Sequence, residues 1–543
     1  MTLTPGSTAA TALRQPVGVP GDLVAAPERW VVRFAASGAG HLFITWGRVV
    51  ISGIALAAQL VALALVIRYA VDATAWLLIA FELVSVAVLL GLLNGQMAMA
   101  YKLGWTLVLL LLPLIGAVFY LLFGSHRAGA SQRRRHEASL VAARQALLLA
   151  PTVQPPEDDS QVARQMRHLK TAGGYPARPA TGVRYYPTGA EGFEAILEAI
   201  AQAERYVYIE YFILARGWMW DQLFAALAER ARAGVKVCVL YDDLGSFMRL
   251  PKGLWASCAQ AGIEVRPVNP LRPALSLRAN NRDHRKICAI DGTVAFTGGI
   301  NIGDEYVGLD KPYGDWKDHA IRVEGPAAWS FTVMLAEQWG VMAERRVDYQ
   351  ALLPSTWPEP GEGIAIPFDD TPFVETSLGL ATYRELLSTA RSTVDIVTPY
   401  LVIDDFLHEV LAVTAQSGVR VRLVVPGTND SWITDQVAKA AFARLIENGV
   451  EVYRYSPGFV HQKTMTADDD TAVVGTINFD YRSFYLHQEC AVWLYGTPAI
   501  ESVRADVELV VSRSDRVTMA EATGANPLTR LVRALLGVAA PLI

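Results

Sequence analysis

Hydrophobic positions along this chain follow two regimes. Between residues 49 and 123 they run almost unbroken in three stretches, 49–67, 75–93 and 104–123, each near the ~20 residues that cross about 30 Å of hydrocarbon as a helix. Three such runs so close together exceed what a small water-soluble domain can bury, so the pattern predicts an α-helical transmembrane region over 49–124. From residue 182 onward the apolar positions switch between helical and strand periods. Helical spacing over 191–202 leads to a strand at 206–214, a helix at 220–233 and a strand at 235–242. The order then returns, with a helix at 383–391, a strand at 394–398, a helix at 404–416 and a strand at 419–425. This alternation predicts a mixed α/β fold written twice, with buried sheets in both copies.

The remaining segments divide the chain. Residues 1–48 read as a flexible N-terminal tail, 125–175 as a juxtamembrane connector, 176–350 as a first α/β half and 373–515 as a second. Between the halves, 351–372 is rich in Pro, Gly and acid and reads as a linker. The last stretch, 516–543, is an amphipathic segment with Arg530 and Arg533 on an apolar background, suited either to a membrane interface or to packing on the second half.

Composition changes this picture only locally. Of 543 residues 52% are hydrophobic and 19% charged, an apolar balance that the three long runs account for. A net charge of −5 without a basic stripe argues against a nucleic-acid-binding surface. The four cysteines, Cys238, Cys258, Cys288 and Cys490, have no metal-type spacing and suggest neither zinc nor a disulfide framework. Arg127, Arg133, Arg134 and Arg135 follow the third run, whereas the loop before it holds only Lys102, so the part beyond is expected to face the cytoplasm.

The chemistry resides in a duplicated phrase. His284-x-Lys286 is followed by Asp291, and His461-x-Lys463 by Asp468, both with the spacing HxKx4D; a Gly-x-x-Asn trails each, Gly298 to Asn301 and Gly475 to Asn478. A phosphodiester repels anionic nucleophiles and has an alkoxide leaving group, so its cleavage calls for a neutral nucleophile, cations and an acid. Two imidazoles and two ammonium groups supply all three, with no metal or cofactor. One copy carries half of the apparatus, so the duplication implies a single site shared by two halves. The glycines admit backbone close to a phosphate, with Gly299 as a phosphate-binding position, and Asn301 and Asn478 are candidate side-chain donors. Asp291 and Asp468 complete the catalytic phrase, yet a further anion beside a phosphodiester opposes binding, so anchoring the loop suits them better. Arg272, Arg278, Arg282, Arg285 and Lys286 crowd the approach to the first motif, where anionic headgroups would be attracted.

These phrases, with Trp316-x-Asp318, the Thr398-Pro-Tyr segment and the run from Gly475 to Ser483, resemble the phospholipase D superfamily and, within it, the bacterial cardiolipin synthases of that type, from about Tyr101 to the C-terminus. The resemblance implies two phospholipase D-like α/β/α halves forming one pseudo-symmetric bilobed catalytic domain behind a multi-pass membrane anchor, joining two phosphatidylglycerols into cardiolipin and glycerol through a phosphohistidine. It implies a phosphate contact for Arg282, and that Asp318 and Glu489 bond the far nitrogen of the motif histidines. His284 is expected as the nucleophile and His461 as the acid and then base. The chain departs from the family where Gly299 and Thr476 replace the usual Ser, and where His487 stands for a frequent Asn. The expected partners are phosphatidylglycerol and cardiolipin in the cell membrane, with a homodimer conceivable. Hydrolysis to phosphatidic acid, and phosphatidylethanolamine as donor or acceptor, stay open.

Overall fold

The computed structural model describes residues 61, 72–95, 99–112, 116–117, 119–120, 124, 130–158, 160–270, 281–374 and 377–540. The chain divides into a unit ending at Ala64 and one running from Leu65 to Ile543, and the architecture below belongs to the second.

Two sheets repeat one plan. In the first, the strands are β1 (Val183–Tyr186), β2 (Tyr206–Tyr211), β3 (Lys236–Asp242), β4 (Glu264–Val268), β5 (Lys286–Ile290), β6 (Val294–Gly298) and β7 (Ala320–Glu324), in the spatial order β1-β7-β6-β5-β2-β3-β4. The second is built from β8 (Ile364–Asp370), β9 (Thr393–Val397), β10 (Arg420–Pro426), β11 (Glu451–Tyr455), β12 (Thr464–Ala467), β13 (Thr471–Gly475) and β14 (Glu489–Tyr495), ordered β8-β14-β13-β12-β9-β10-β11. The seven strands follow the same order in both, and the short strands Arg178–Pro179 and Ser514–Arg516 extend the edges of the second sheet to nine strands. In both, three parallel strands continue into antiparallel ones. Consecutive buried positions such as Tyr206–Tyr211 mark strands covered on both faces, which explains their unbroken apolar runs.

The layer between the sheets is helical. The helix Pro326–Ala343 is largely apolar, buried from Pro326 to Gly340, and packs on strands of both sheets. A helix buried on every side needs no polar face. The helix Ala499–Ser512 takes the corresponding place after the second sheet and touches β1, β11 and β13. Shared packing of this kind ties the two halves into one body.

Three expected boundaries shift. Residues 364–370, expected as linker, form β8, an integral strand of the second sheet. Pro367 hid it, but the outer neighbour, Arg178–Pro179, pairs only with Ile364 and Ala365, so the missing N–H of Pro367 breaks no ladder. That outer strand places the start of the expected first half in the second sheet. The expected connector also packs firmly: Trp329 Nε1 donates to the carbonyl of Ala146, Trp493 Nε1 to Gln165 Oε1, and the buried Arg178 guanidinium to the carbonyls of Leu147, Ala150 and Pro151.

Of the three apolar runs, the first lies outside the described residues except for Val61. The second is helical over Asp72–Asn94, and the third retains a 13-residue helix, Met99–Leu111. Counted over the described residues, no helix is long and apolar enough to cross a membrane. Tyr101 stacks on Tyr481 at 5.8 Å, and Leu92, Trp105 and Leu109 join Leu486 in one cluster. The N-terminal helices therefore rest on the segment just after the second motif. At the other end, the helix Pro527–Ala539 is tied to the second half through Arg533 Nε and Gln436 Oε1, with Leu528, Leu531 and Leu535 exposed.

Candidate active site

Backbone pairing between the halves brings the motifs together. The His284 N–H donates to the carbonyl of Gln488 at 2.8 Å, and the Gln488 N–H to that of Arg282, so the entrance to the first motif is held beside the residue preceding Glu489. Across the pseudo-dyad, Gly458–Val460 runs parallel to Asp315–Lys317, and the His461 N–H donates to the carbonyl of Lys317, which precedes Asp318. The consequence is an exchange of partners. His284 of the first half has its Nδ1 3.0 Å from both carboxylate oxygens of Glu489 in the second, and His461 of the second has its Nδ1 2.7 Å from Asp318 Oδ2 in the first.

A carboxylate only accepts, so this network assigns the proton to Nδ1 in each ring and leaves the lone pair on Nε2. Each carboxylate is itself held. Glu489 accepts from Thr476 Oγ1 at 2.5 Å and Ser483 Oγ at 2.7 Å, and Asp318 from the His319 N–H at 2.8 Å. Burial favours the uncharged form of Asp318, but His461, His319 and Lys463 outweigh it and hold the carboxyl below the usual range. Burial and the neighbouring lysines push His461 down to about 4, against the pull of Asp318, and take His284 well below its ordinary value. Both rings are therefore neutral near pH 7 in the free protein. Burial also lowers Lys286 to about 8 and Lys463 to about 7, and each Nζ donates to the carbonyl of its own motif histidine.

A cavity of about 620 Å³ opens over this pair, with His284, His461, Asn301, Asn478, Tyr306 and Trp316 in its wall. Its size suits a small ligand or headgroup. His461 sits among Tyr306, Trp316 and Phe459, with ring separations of 5.5, 5.4 and 5.8 Å. The surroundings of His284 differ, with Phe212 at 4.9 Å and His487 at 5.6 Å. Trp316 and His487 occupy matching places, two residues before the acid in each half.

The structure alters several sequence-derived roles, while for Asp291 and Asp468 it agrees with the loop-anchoring one. Asp291 and Asp468 stand outside the cavity wall at the turns after β5 and β12, both at φ 53°. Asp291 accepts from the N–H groups of Glu204, Arg205 and Tyr206, and Asp468 from those of Arg391, Ser392 and Thr393, so both anchor backbone. Arg282 is turned inward, bonding Asp242 Oδ2 and the Asn269 carbonyl, and Arg285 is buried among Asp283, Glu210 and Asp369. Neither offers a cation to a headgroup, while Arg272 and Arg278 lie outside the described residues. The Gly299 N–H donates to the His319 carbonyl instead of facing the cavity. What Gly299 provides is room, since a Cβ there would lie 1.9 Å from Asp318 Oδ1. Asn301 lines the cavity, but its oxygen accepts from the Ile213 N–H and its amide donates to Tyr306 Oη. Sequence reading missed Tyr306, the hold of Thr476 and Ser483 on Glu489, and the place of His487; the Trp-x-Asp and His-x-Glu phrases were the available signal. Nor had it foreseen ligand-type spacing, yet the ligand atoms of His284, His487 and Glu489 all lie within 4.8 Å of one another.

Two histidine–carboxylate pairs facing one cavity, with two buried lysines behind them, define a two-lobed phosphodiester-transfer site. Comparison with known proteins agrees. The "Cardiolipin synthase, PLD-like domain" model matches residues 196–311 and 383–510, and the "Phospholipase_D-nuclease N-terminal" model residues 83–125. A cardiolipin synthase of Geobacillus kaustophilus is 33% identical over 436 residues, 79% of this chain and 86% of that one. An uncharacterized protein of Streptococcus mutans is 34% identical over 463 residues, 84% and 99% of the two chains. Phosphatidylserine synthase of Haemophilus influenzae shares the fold, with a TM-score of 0.53 at 13% identity over 70% of this chain and 97% of that one. The chain belongs to the phospholipase D-like cardiolipin synthase family.

Proposed function

We propose that this protein is a cardiolipin synthase that transfers a phosphatidyl group from one phosphatidylglycerol to another and releases glycerol. The observation that carries the reading is the exchanged pairing of His284 with Glu489 and His461 with Asp318 around one cavity. His284 Nε2 attacks phosphorus while the bond to the glycerol oxygen breaks, and His461, protonated as the substrate anion arrives, gives that oxygen its proton. His461 then takes a proton from a hydroxyl of the second phosphatidylglycerol, whose oxygen attacks phosphorus and breaks the bond to His284. Lys286 and Lys463 stabilise the charge on the non-bridging oxygens, and Asp318 and Glu489 hold the tautomers and favour imidazolium. Exchanging one phosphodiester for another is close to isoenergetic, so no nucleotide activation is needed.

The membrane assignment is part of the same proposal. The helices Asp72–Asn94 and Met99–Leu111 expose Leu83, Val84, Leu90, Leu103 and Leu110 while docking on Tyr481, a cavity-wall residue. In our reading they belong to a multi-pass anchor that keeps the cavity at the cytoplasmic lipid surface, where a second lipid alcohol is concentrated enough to compete with water at about 55 M. The test is purified full-length protein with labelled phosphatidylglycerol, with and without phosphatidylethanolamine and glycerol. Cardiolipin should form with release of glycerol, and added glycerol should slow net synthesis and regenerate phosphatidylglycerol. Mainly phosphatidic acid, undiverted by glycerol, would make water the acceptor and replace transfer with hydrolysis.

A further inference from the structure

His487 has no part in the chemistry above, yet its position is unusual. The side chain is 10% exposed, lies in the cavity wall beside His284, and has no hydrogen-bond partner on either ring nitrogen among the described residues. Leaving a buried polar group unpaired is unfavourable, so such a ring favours a ligand. Its Nδ1 lies 3.8 Å from Glu489 Oε1, and that oxygen lies 3.0 Å from His284 Nδ1. Ligand atoms about 2.0–2.2 Å from a tetrahedral zinc ion are themselves roughly 3.3–3.5 Å apart. The group is therefore within a small side-chain adjustment of a two-imidazole, one-carboxylate site.

We propose that His284, His487 and Glu489 form an inhibitory site for a zinc-type divalent cation. Two nitrogens and one carboxylate oxygen suit zinc better than magnesium or calcium, which favour all-oxygen shells. The inhibitory sense follows from the ring itself. A neutral imidazole has one lone pair, and in the resting network it sits on Nε2 because Nδ1 donates to Glu489. A cation bound at Nδ1 takes that lone pair and moves the proton to Nε2, which then cannot attack phosphorus. It also draws Glu489 into coordination and away from orienting the ring. Metal binding and nucleophilicity at His284 are thus mutually exclusive. In the other half Trp316 stands where His487 does, and although His319 Nδ1 lies 3.5 Å from Asp318 Oδ1, His319 does not gather with His461 and Asp318 into a three-ligand group. Among the described residues, the device belongs to one half of the site only.

The consequence for catalysis rests on the nucleophile assignment made above, but binding does not, and the experiment separates them. Zn²⁺, and Co²⁺ as a spectroscopic substitute, are titrated into the full-length protein and into H487N and H487Q. The wild type should bind one Co²⁺ with the visible absorption of a tetrahedral nitrogen–oxygen site, and Zn²⁺ should inhibit it reversibly, with activity restored by EDTA. Either substitution should weaken binding and raise the inhibitory Zn²⁺ concentration by more than the roughly 10–100-fold that changes around a metal's ligands produce, while activity without zinc persists. Equal zinc sensitivity in the wild type and both variants, or no tetrahedral Co²⁺ spectrum in the wild type, overturns the site. A spectrum lost in the variants but without wild-type inhibition keeps the site and overturns its inhibitory role. Failure of lipid transfer itself leaves the Co²⁺ result standing and removes only the proposed function.

Discussion

Replacing Asp318 by Asn tests whether the exchanged carboxylates serve the chemistry. The residue is 1% exposed and its carboxylate accepts from His461 Nδ1 at 2.7 Å, and Asn keeps its volume while removing its charge. Two effects follow. A charge-assisted bond of about 1.5–3 kcal/mol becomes a neutral one of about 0.5–1.5, which lowers the proton affinity of His461 by roughly one pKa unit. With His461 already near 4 in the free protein, imidazolium is scarce at pH 7, and a further unit reduces it about tenfold. The second effect is the tautomer: an Asn turned to present its amide hydrogens would force the proton from Nδ1 to Nε2, and in a comparable triad that error costs about 10⁴ in kcat. The expected result is a loss of kcat between roughly 10 and 10⁴, or about 1.4–5.5 kcal/mol, with KM for phosphatidylglycerol little changed. Initial rates of cardiolipin formation in mixed micelles, with circular dichroism to verify folding, provide the assay. A folded D318N protein within about threefold of wild-type kcat would refute the argument.

Three further outcomes are expected. H284A and H461A should each lose roughly 10³-fold or more in turnover, and acid quench of wild-type enzyme with labelled lipid should leave phosphohistidine at position 284; label at 461 reverses the two roles but keeps the mechanism. D291N, which still presents Oδ1 to the N–H groups of Arg205 and Tyr206 but turns an amide toward that of Glu204, should lose about 1–3 kcal/mol of stability while keeping kcat per folded molecule, and a collapse of kcat at unchanged stability would restore Asp291 to the reacting group. Because Lys463 and Lys286 are lowered to about 7 and about 8, their charged forms decline as pH rises, so kcat/KM should fall through that range; a profile flat to about pH 9 would show that the lysines keep their protons.

Much of the architecture was legible because it rests on local pattern. The strands at 206–211, 236–242 and 393–397 announced themselves as apolar runs, since sheets covered on both faces leave no polar alternation. Ile364–Asp370 was not legible, because the edge position that tolerates Pro367 is a property of the neighbouring strand. Arg282 illustrates the same limit at the site. The resemblance implied a phosphate contact for it, whereas Asp242, forty residues earlier, holds it inside the fold.

What the sequence determined by itself was the inventory: two equivalent phrases, hence two imidazoles, two lysines and a reaction class, because residue type and spacing recur regardless of how the chain is folded. What only the tertiary structure decided was the pairing. Nothing in the order of residues says that His284 is held by Glu489, 205 positions away, and His461 by Asp318, 143 positions away. That exchange arises where Gly458–Val460 lies along Asp315–Lys317 and Asp283 bridges to Gln488, which sets each histidine against the acid of the opposite half. Backbone hydrogen bonds between distant segments carry no residue signature, so their partners, and the third imidazole they bring beside the first, appear only once the sheets have closed on each other.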